Sequence, residues 1–172
     1  MQRAMKLLRD IPDFPKPGII FKDITPILAD AAAFHEVTEH FAARYAGMQV
    51  DKFLGIDARG FLFASALAFA LRKGLIIARK KGKLPYKTIS ETYSLEYGTD
   101  SLEIHIDAVA KGERVVIIDD LLATGGTAKA VANLVDKSGG VVVECAFLVE
   151  LGFLKGRSRL GKAPVYAPIC IE

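Results

Sequence analysis

Val115-Val116-Ile117-Ile118-Asp119-Asp120-Leu121-Leu122-Ala123-Thr124-Gly125-Gly126-Thr127 decides the fold of this chain. Four β-branched residues read as a buried strand with two acids at its carboxyl end, and the Thr-Gly-Gly-Thr that follows leads straight into a helix. That helix is expected over 126–137, ended by Gly139 and Gly140, with a long apolar strand over 141–151. The same rhythm lies upstream. Residues 52–56 read as a strand, 60–73 as a buried helix ended by Gly74, and 75–78 as another strand. Two β–α–β units with short, continuously apolar strands predict an α/β fold: a central, mostly parallel sheet with helices on both faces.

The flanks fit one domain over 1–172. Residues 1–29 form an N-terminal segment in which Met5, Leu7, Leu8 and Ile11 make a short amphipathic stretch stopped at Pro12. Pro15, Pro17 and Pro26 prevent a continuous helix there. Asp30 stands where a helix cap is expected, before Phe34, Val37, Phe41 and Tyr45 at helical spacing, with Gly47 closing the helix. Residues 80–102 show no sustained periodicity, and a connection that long in a compact domain is usually functional, often a lid. After 152 come a basic loop (Lys155, Arg157, Arg159, Lys162), read as surface, and a closing strand over 165–171.

The chemistry gathers on the first segment quoted. In open parallel sheets ligands bind at the carboxyl edge of the strands. Glycines there let successive backbone N–H groups converge, two threonine hydroxyls add donors, and the helix N-terminus contributes partial positive charge. Ala123, Thr124, Gly125, Gly126 and Thr127 therefore suit a phosphate dianion. The Walker A and dinucleotide glycine patterns are both absent. Acids repel phosphate, so Asp119 and Asp120 need another partner, and a vicinal diol fits because each carboxylate accepts hydrogen bonds. Diol and monophosphate together describe a ribose 5-phosphate. The alternative is two solvated acids beside a tight turn. Arg79, Lys80, Lys81 and Lys83 form a basic run at the same sheet edge, suited either to solvent or to a pyrophosphate.

These residues resemble the 5-phosphoribosyl-1-pyrophosphate (PRPP) motif of the type I phosphoribosyltransferases. Pro15-Lys16-Pro17-Gly18-Ile19-Ile20-Phe21-Lys22-Asp23-Ile24-Thr25-Pro26, Ala58-Arg59-Gly60-Phe61-Leu62-Phe63, Gly82-Lys83-Leu84-Pro85 and Ser94-Leu95-Glu96-Tyr97-Gly98 resemble the adenine-specific branch of that family. The resemblance runs from about residue 11 to about 160. It implies the type I fold, with 80–102 as a flexible hood and 1–29 as a base-binding hood segment. It further implies an enzyme, a pentosyltransferase that makes AMP and pyrophosphate from adenine and PRPP in purine salvage. Mg²⁺, held mainly through PRPP and water, a cytoplasmic location and a homodimer are implied as well.

By the same resemblance Asp119 and Asp120 hold the ribose and Ala123–Thr127 the 5′-phosphate. Asp57, Ala58, Arg59, Arg79 and Lys83 meet the pyrophosphate, with a non-proline cis bond at Asp57–Ala58. Phe21 stacks on adenine between main-chain groups of Ile20 and Lys22. Glu96 and Arg59 are the implied catalytic residues, Glu96 handling the purine's proton or stabilising its charge. Ala123 stands where the 6-oxopurine enzymes carry an acid, which argues against hypoxanthine and guanine. Family members often have arginine at Lys22 and glycine at Ala64; a main-chain contact survives the first difference, and the second reads as packing.

Composition sets the outer limits. At 51% hydrophobic and 25% charged the chain can build a large core, and a formal charge of +3 is too small for a duplex nucleic-acid binder. The longest apolar run, 61–71, is far short of the ~20 residues of a membrane span, and the N-terminus offers no secretory leader. Cys145 and Cys170 read as buried thiols in a reducing compartment. His35, His40 and His105 lack metal-ligand spacing, and Phe14, Phe34, Phe41, Phe53, Phe61, Phe63 and Phe69 read as core or subunit contacts. Two alternatives stay open: transfer to another base such as xanthine or orotate, and a non-catalytic regulator that senses PRPP.

Overall fold

Short β-branched and apolar runs bury best when both faces of a sheet are covered, and the chain does this with its four central strands. The computed structural model describes residues 1–94 and 99–172, which fall into two units, Met1–Arg44 and Tyr45–Glu172. In the first unit, α1 (Gln2–Leu7) is followed by the antiparallel pair β1 (Arg9–Pro12) and β2 (Ile20–Asp23), then α2 (Thr25–Ala29) and α3 (Ala31–Tyr45). The amphipathic stretch expected to reach Pro12 thus ends at Leu7. Arg9–Pro12 is drawn into strand pairing with Ile20–Asp23 instead. Asp30 caps α3 as expected: its Oδ1 accepts the Ala33 N–H at 2.8 Å, and the Arg3 guanidinium forks onto both carboxylate oxygens.

The second unit carries β3 (Lys52–Ile56), α4 (Gly60–Leu71), β4 (Gly74–Lys80), β5 (Thr88–Ser94) and β6 (Thr99–His105). It continues with β7 (Arg114–Leu122), α5 (Gly126–Lys137), β8 (Val141–Leu151), β9 (Val165–Tyr166) and β10 (Ile169–Ile171). The sheet order is β10-β8-β7-β3-β4-β6-β5, with β9 also on β8. From β10 to β4 every pairing is parallel, and β6 and β5 add an antiparallel hairpin. One face packs Leu54, Ile56, Val115, Ile117, Cys145 and Phe147 with Val131, Leu134 and Val135 of α5. On the other, α4 lies so close to the sheet that a Cβ on Gly60 would meet Ile118 O at 2.6 Å. The β3–α4–β4 and β7–α5–β8 crossovers leave β3 and β7 in opposite directions along the sheet. Their carboxyl ends therefore flank a crevice where ligands bind in this architecture.

Several local expectations change. Residues 80–102 contain β5 and the start of β6, paired antiparallel; polar residues outnumber the apolar positions Ile89, Tyr93 and Leu102 that pack on the core, so the strand pattern is weak in the sequence. Helix α4 stops at Leu71 and Arg72, not Gly74, takes the left-handed position (φ 55°). Gly74 opens β4, where the Lys52 side chain leaves no room for a Cβ. Strand β7 runs on to Leu122 because β8 pairs with it throughout, so Asp119 and Asp120 lie within the strand. The closing strand is two short pieces, β9 and β10, split around Pro168. Cys145 is buried, its thiol pushed up to about 12 by desolvation, whereas Cys170 is exposed on the outward side of an edge strand. Arg157, placed on the surface loop, forks onto the buried carboxylate of Glu150, which needs a cation to be buried at all.

Candidate active site

Three strand ends converge on the crevice. From β3 the chain enters Asp57–Ala58, which is cis as the resemblance implied, and then Arg59. Because Gly60 has no Cβ, α4 begins hard against Asp119, and Arg59 Nε reaches Asp120 Oδ2 at 3.0 Å. From β4, Arg79 Nε lies 3.2 Å from Asp57 Oδ2 and its Nη1 donates to the Lys83 carbonyl at 3.2 Å. Asp57, Ala58, Arg59, Arg79, Lys83, Asp119 and Asp120 are thus joined through a run of ion pairs and short loops.

The two acids of β7 differ in setting. Asp120 is 2% exposed, while Asp119 is half-buried and accepts the Asp120 N–H at 2.9 Å. Burial pushes the Asp119 carboxyl well above the usual carboxylate range, and the neighbouring charge of Asp120 pushes further. Burial raises Asp120 too, opposed by the Arg59 guanidinium. Two neighbouring carboxyl groups present several oxygen acceptors at one place, which suits the hydroxyl donors of a sugar diol.

Beyond them, Ala123–Gly125 turns into α5. Gly125 sits at φ 81°, a left-handed conformation in which a side chain is strained. A pocket of about 90 Å³ opens here, lined by Asp119, Ala123, Thr124, Gly125, Thr127 and Phe147 among others. It joins the phosphate cradle to one of the acids. A larger cavity of about 520 Å³ opens beside α5 at Asp136, Leu160 and Lys162 and contains none of these groups; the site follows the chemistry, not the larger volume.

Three participants went unnoticed in the sequence. Gly156 backs the cradle: its carbonyl would lie 2.4 Å from a Cβ on Gly125, and its own Cβ would lie 2.2 Å from Ala123 O. Tyr93 of the hairpin lines a surface cavity together with Gly126 of α5, and burial pushes its phenol up. Glu91 on the same strand accepts from Asn133 Nδ2 at 2.8 Å and pairs with Lys137, which ties the hairpin to α5. None carries a motif; only proximity across the sheet reveals them. Glu96 lies outside the described residues.

Ile20, Phe21 and Lys22 stand together on β2 in the first unit. Ile20 is exposed, Phe21 meets Phe14 edge-on at 5.2 Å, and Lys22 Nζ pairs with Asp10 at 2.7 Å. Among the described residues no three His, Cys, Asp or Glu side chains converge as a metal cage. The acids present, Asp119 and Asp120, fit an Mg²⁺ ion carried by substrate oxygens and water, since that ion keeps several waters and takes few protein ligands.

The geometry defines a class: a parallel-sheet enzyme with a glycine turn entering a helix, paired acids beside it and a facing cationic loop. The phosphoribosyl transferase domain matches residues 24–166, and the chain belongs to that family. Its relatives include the adenine phosphoribosyltransferase of Syntrophotalea carbinolica, 59% identical over 160 residues, covering 93% of this chain and 94% of that one. The crystal structure of adenine phosphoribosyltransferase from Thermoanaerobacter pseudethanolicus superposes with a TM-score of 0.96 at 52% identity over 99% of both chains. That of Saccharomyces cerevisiae, complexed with an imino-altritol bisphosphate and adenine, gives 0.91 at 39% identity over 96% of both.

Proposed function

We propose that this chain transfers the 5-phosphoribosyl group of PRPP to N9 of adenine, giving AMP and pyrophosphate. The observation that carries the reading is the pairing of Asp119 and Asp120 with the cradle at Ala123–Thr127, faced by Arg59 from the neighbouring strand end. Relatives at 52–59% identity bearing the adenine-specific name, and a solved relative complexed with adenine, support the choice of base.

In this mechanism the 5′-phosphate docks on the backbone amides of Ala123–Thr127 and the threonine hydroxyls. Asp119 and Asp120 accept from the ribose hydroxyls, which fixes C1′ relative to the base. Arg59 is held in the crevice by Asp120, and Arg79 by Asp57, so both cations stand ready at the edge where the pyrophosphate leaves. The bond from C1′ to the pyrophosphate oxygen breaks, with the electron pair leaving on oxygen, and N9 of adenine forms the new bond to C1′. The N9 proton is taken up by Glu96. Bound through PRPP oxygens and water, Mg²⁺ would neutralise charge on the leaving group, and positioning with preorganised charge does the rest. Phe21, with Ile20 and Lys22, receives the adenine. The hairpin hood excludes water that would otherwise intercept the sugar cation.

A homodimer is part of the reading. Helix α4 is apolar around most of its circumference, Phe69 is 89% exposed, and Leu62, Leu75 and Ile77 are exposed in the same unit. An apolar surface of this kind marks a protein contact. A cytoplasmic location is proposed too; among the described residues no helix is long and apolar enough to cross a membrane.

The test is pyrophosphate release from PRPP with adenine, hypoxanthine, guanine, xanthine and orotate in parallel. Adenine alone supports rapid release; release with orotate or xanthine while adenine is inert overturns the choice of base, and no release with any base overturns the reaction.

A further inference from the structure

Glu103 stands in the middle of β6, opposite Arg79 of β4 on one side and Ser90 of β5 on the other. Its neighbours Leu102 and Ile104 belong to the core, and Glu103 itself is only 4% exposed. A carboxylate is rarely buried unless its oxygens are occupied, and leaving one unsatisfied costs more than an apolar side chain would. Here the oxygens are occupied by the 82–84 turn and by the first residue of β5. Oε1 accepts the Gly82 N–H at 3.0 Å and the Leu84 N–H at 3.2 Å, and Oε2 accepts from Thr88 Oγ1 at 3.1 Å. Those two amides flank Lys83, and the Lys83 carbonyl in turn accepts from Arg79 Nη1.

We propose that Glu103 is a positioning residue for pyrophosphate: by clamping the backbone on both sides of Lys83 it sets that lysine and, through the Lys83 carbonyl, the Arg79 guanidinium. The inference rests on the reading of Lys83 and Arg79 as pyrophosphate-binding cations and adds the residue that holds them in place. Glu103 touches no group of the Ala123–Thr127 cradle in any hydrogen bond described above, so its effect is confined to one end of the substrate. Burying a carboxylate to hold two backbone amides makes sense where a loop must keep its shape while a charged group enters and leaves.

Three variants test this. Glu103→Gln keeps a carbonyl oxygen for the two amides. Glu103→Asp keeps the charge but withdraws it by one methylene, about 1.5 Å. Glu103→Ala removes the acceptor. Pyrophosphate and AMP binding are each measured by calorimetry, with KM for PRPP and kcat determined separately. In Glu103→Asp and Glu103→Ala, pyrophosphate affinity is expected to fall about tenfold and KM for PRPP to rise similarly, with AMP affinity within about twofold. Glu103→Gln is expected to restore most of the loss. If Glu103→Ala does not fold, the Asp and Gln pair still decides. Equal weakening of pyrophosphate and AMP, or no weakening in Glu103→Asp, overturns the proposal. Lys83→Ala separates the two layers: if it leaves pyrophosphate binding unchanged, the underlying reading of Lys83 fails; if it weakens binding while Glu103→Asp does not, only the role of Glu103 fails.

Discussion

Replacing single glycines around the phosphate cradle separates backbone strain from close approach. Gly161 sits at φ 63° and ψ −118° with nothing within 4 Å of an added Cβ, so Gly161→Ala carries strain alone, about 1–3 kcal/mol. Gly156 shows no positive φ, yet its Cβ would lie 2.2 Å from Ala123 O, so Gly156→Ala carries overpacking alone, about 1–3 kcal/mol. Gly125 combines φ 81° with a Cβ 2.4 Å from Gly156 O, so Gly125→Ala is expected to lose about 3 kcal/mol. For a chain of this size that corresponds to roughly 6–12 °C in Tm. Both crowded atoms are main-chain atoms and cannot swing aside as a side-chain tip would. The loop that moves is the cradle itself, so Gly125→Ala and Gly156→Ala should also lose about tenfold or more in AMP affinity, whereas Gly161→Ala should not. Thermal unfolding and calorimetric AMP titration of the three proteins read both quantities. Equal AMP affinity for Gly125→Ala and Gly161→Ala would refute the argument that Gly156 forms the wall of the proposed cradle.

Asp119→Asn keeps an acceptor for the Asp120 N–H and removes a carboxyl whose folded-state pKa is raised by burial. A raised acid binds more protons folded than unfolded, so its ionisation destabilises the fold as pH climbs above the ordinary carboxylate range. The variant should therefore match the parent in strong acid and gain Tm toward neutrality, while losing about 1.5–3 kcal/mol of ribose binding, roughly ten- to a hundredfold in PRPP affinity; a Tm gain independent of pH would contradict this. Tyr45→Phe withdraws the phenol that donates to the buried Glu144 carboxylate at 2.7 Å, and denaturant unfolding should show a loss of about 1–3 kcal/mol with kcat unchanged. Phe69→Glu places a charge on the most exposed apolar residue of α4, and sedimentation should show a shift from dimer to monomer; an unchanged dimer would place the contact elsewhere.

What could be read from the chain alone was whatever short-range chemistry specifies. The β-branched run from Val115 to Ile118, the helix bounded by Gly126 and Lys137, the cap at Asp30 and the acids beside a Thr-Gly-Gly-Thr turn are local signals. They describe a parallel sheet and a phosphate cradle before any packing is known. The β5–β6 hairpin was not legible, because its few apolar positions are outnumbered by polar residues and its place is set by cross-strand pairing, by Leu102 and Ile104 entering the core and by Glu91 reaching α5. Nor could Gly156, Tyr93 or Glu103 be singled out, for each acts on groups far away in sequence and carries no pattern of its own. The tertiary structure alone decided which cation each acid holds, Arg59 on Asp120 and Arg79 on Asp57, and which main-chain atoms press on the cradle. Periodicity and turn chemistry depend on neighbours along the chain, whereas charge pairing and steric closure depend on distances that exist only once strand order and register are set.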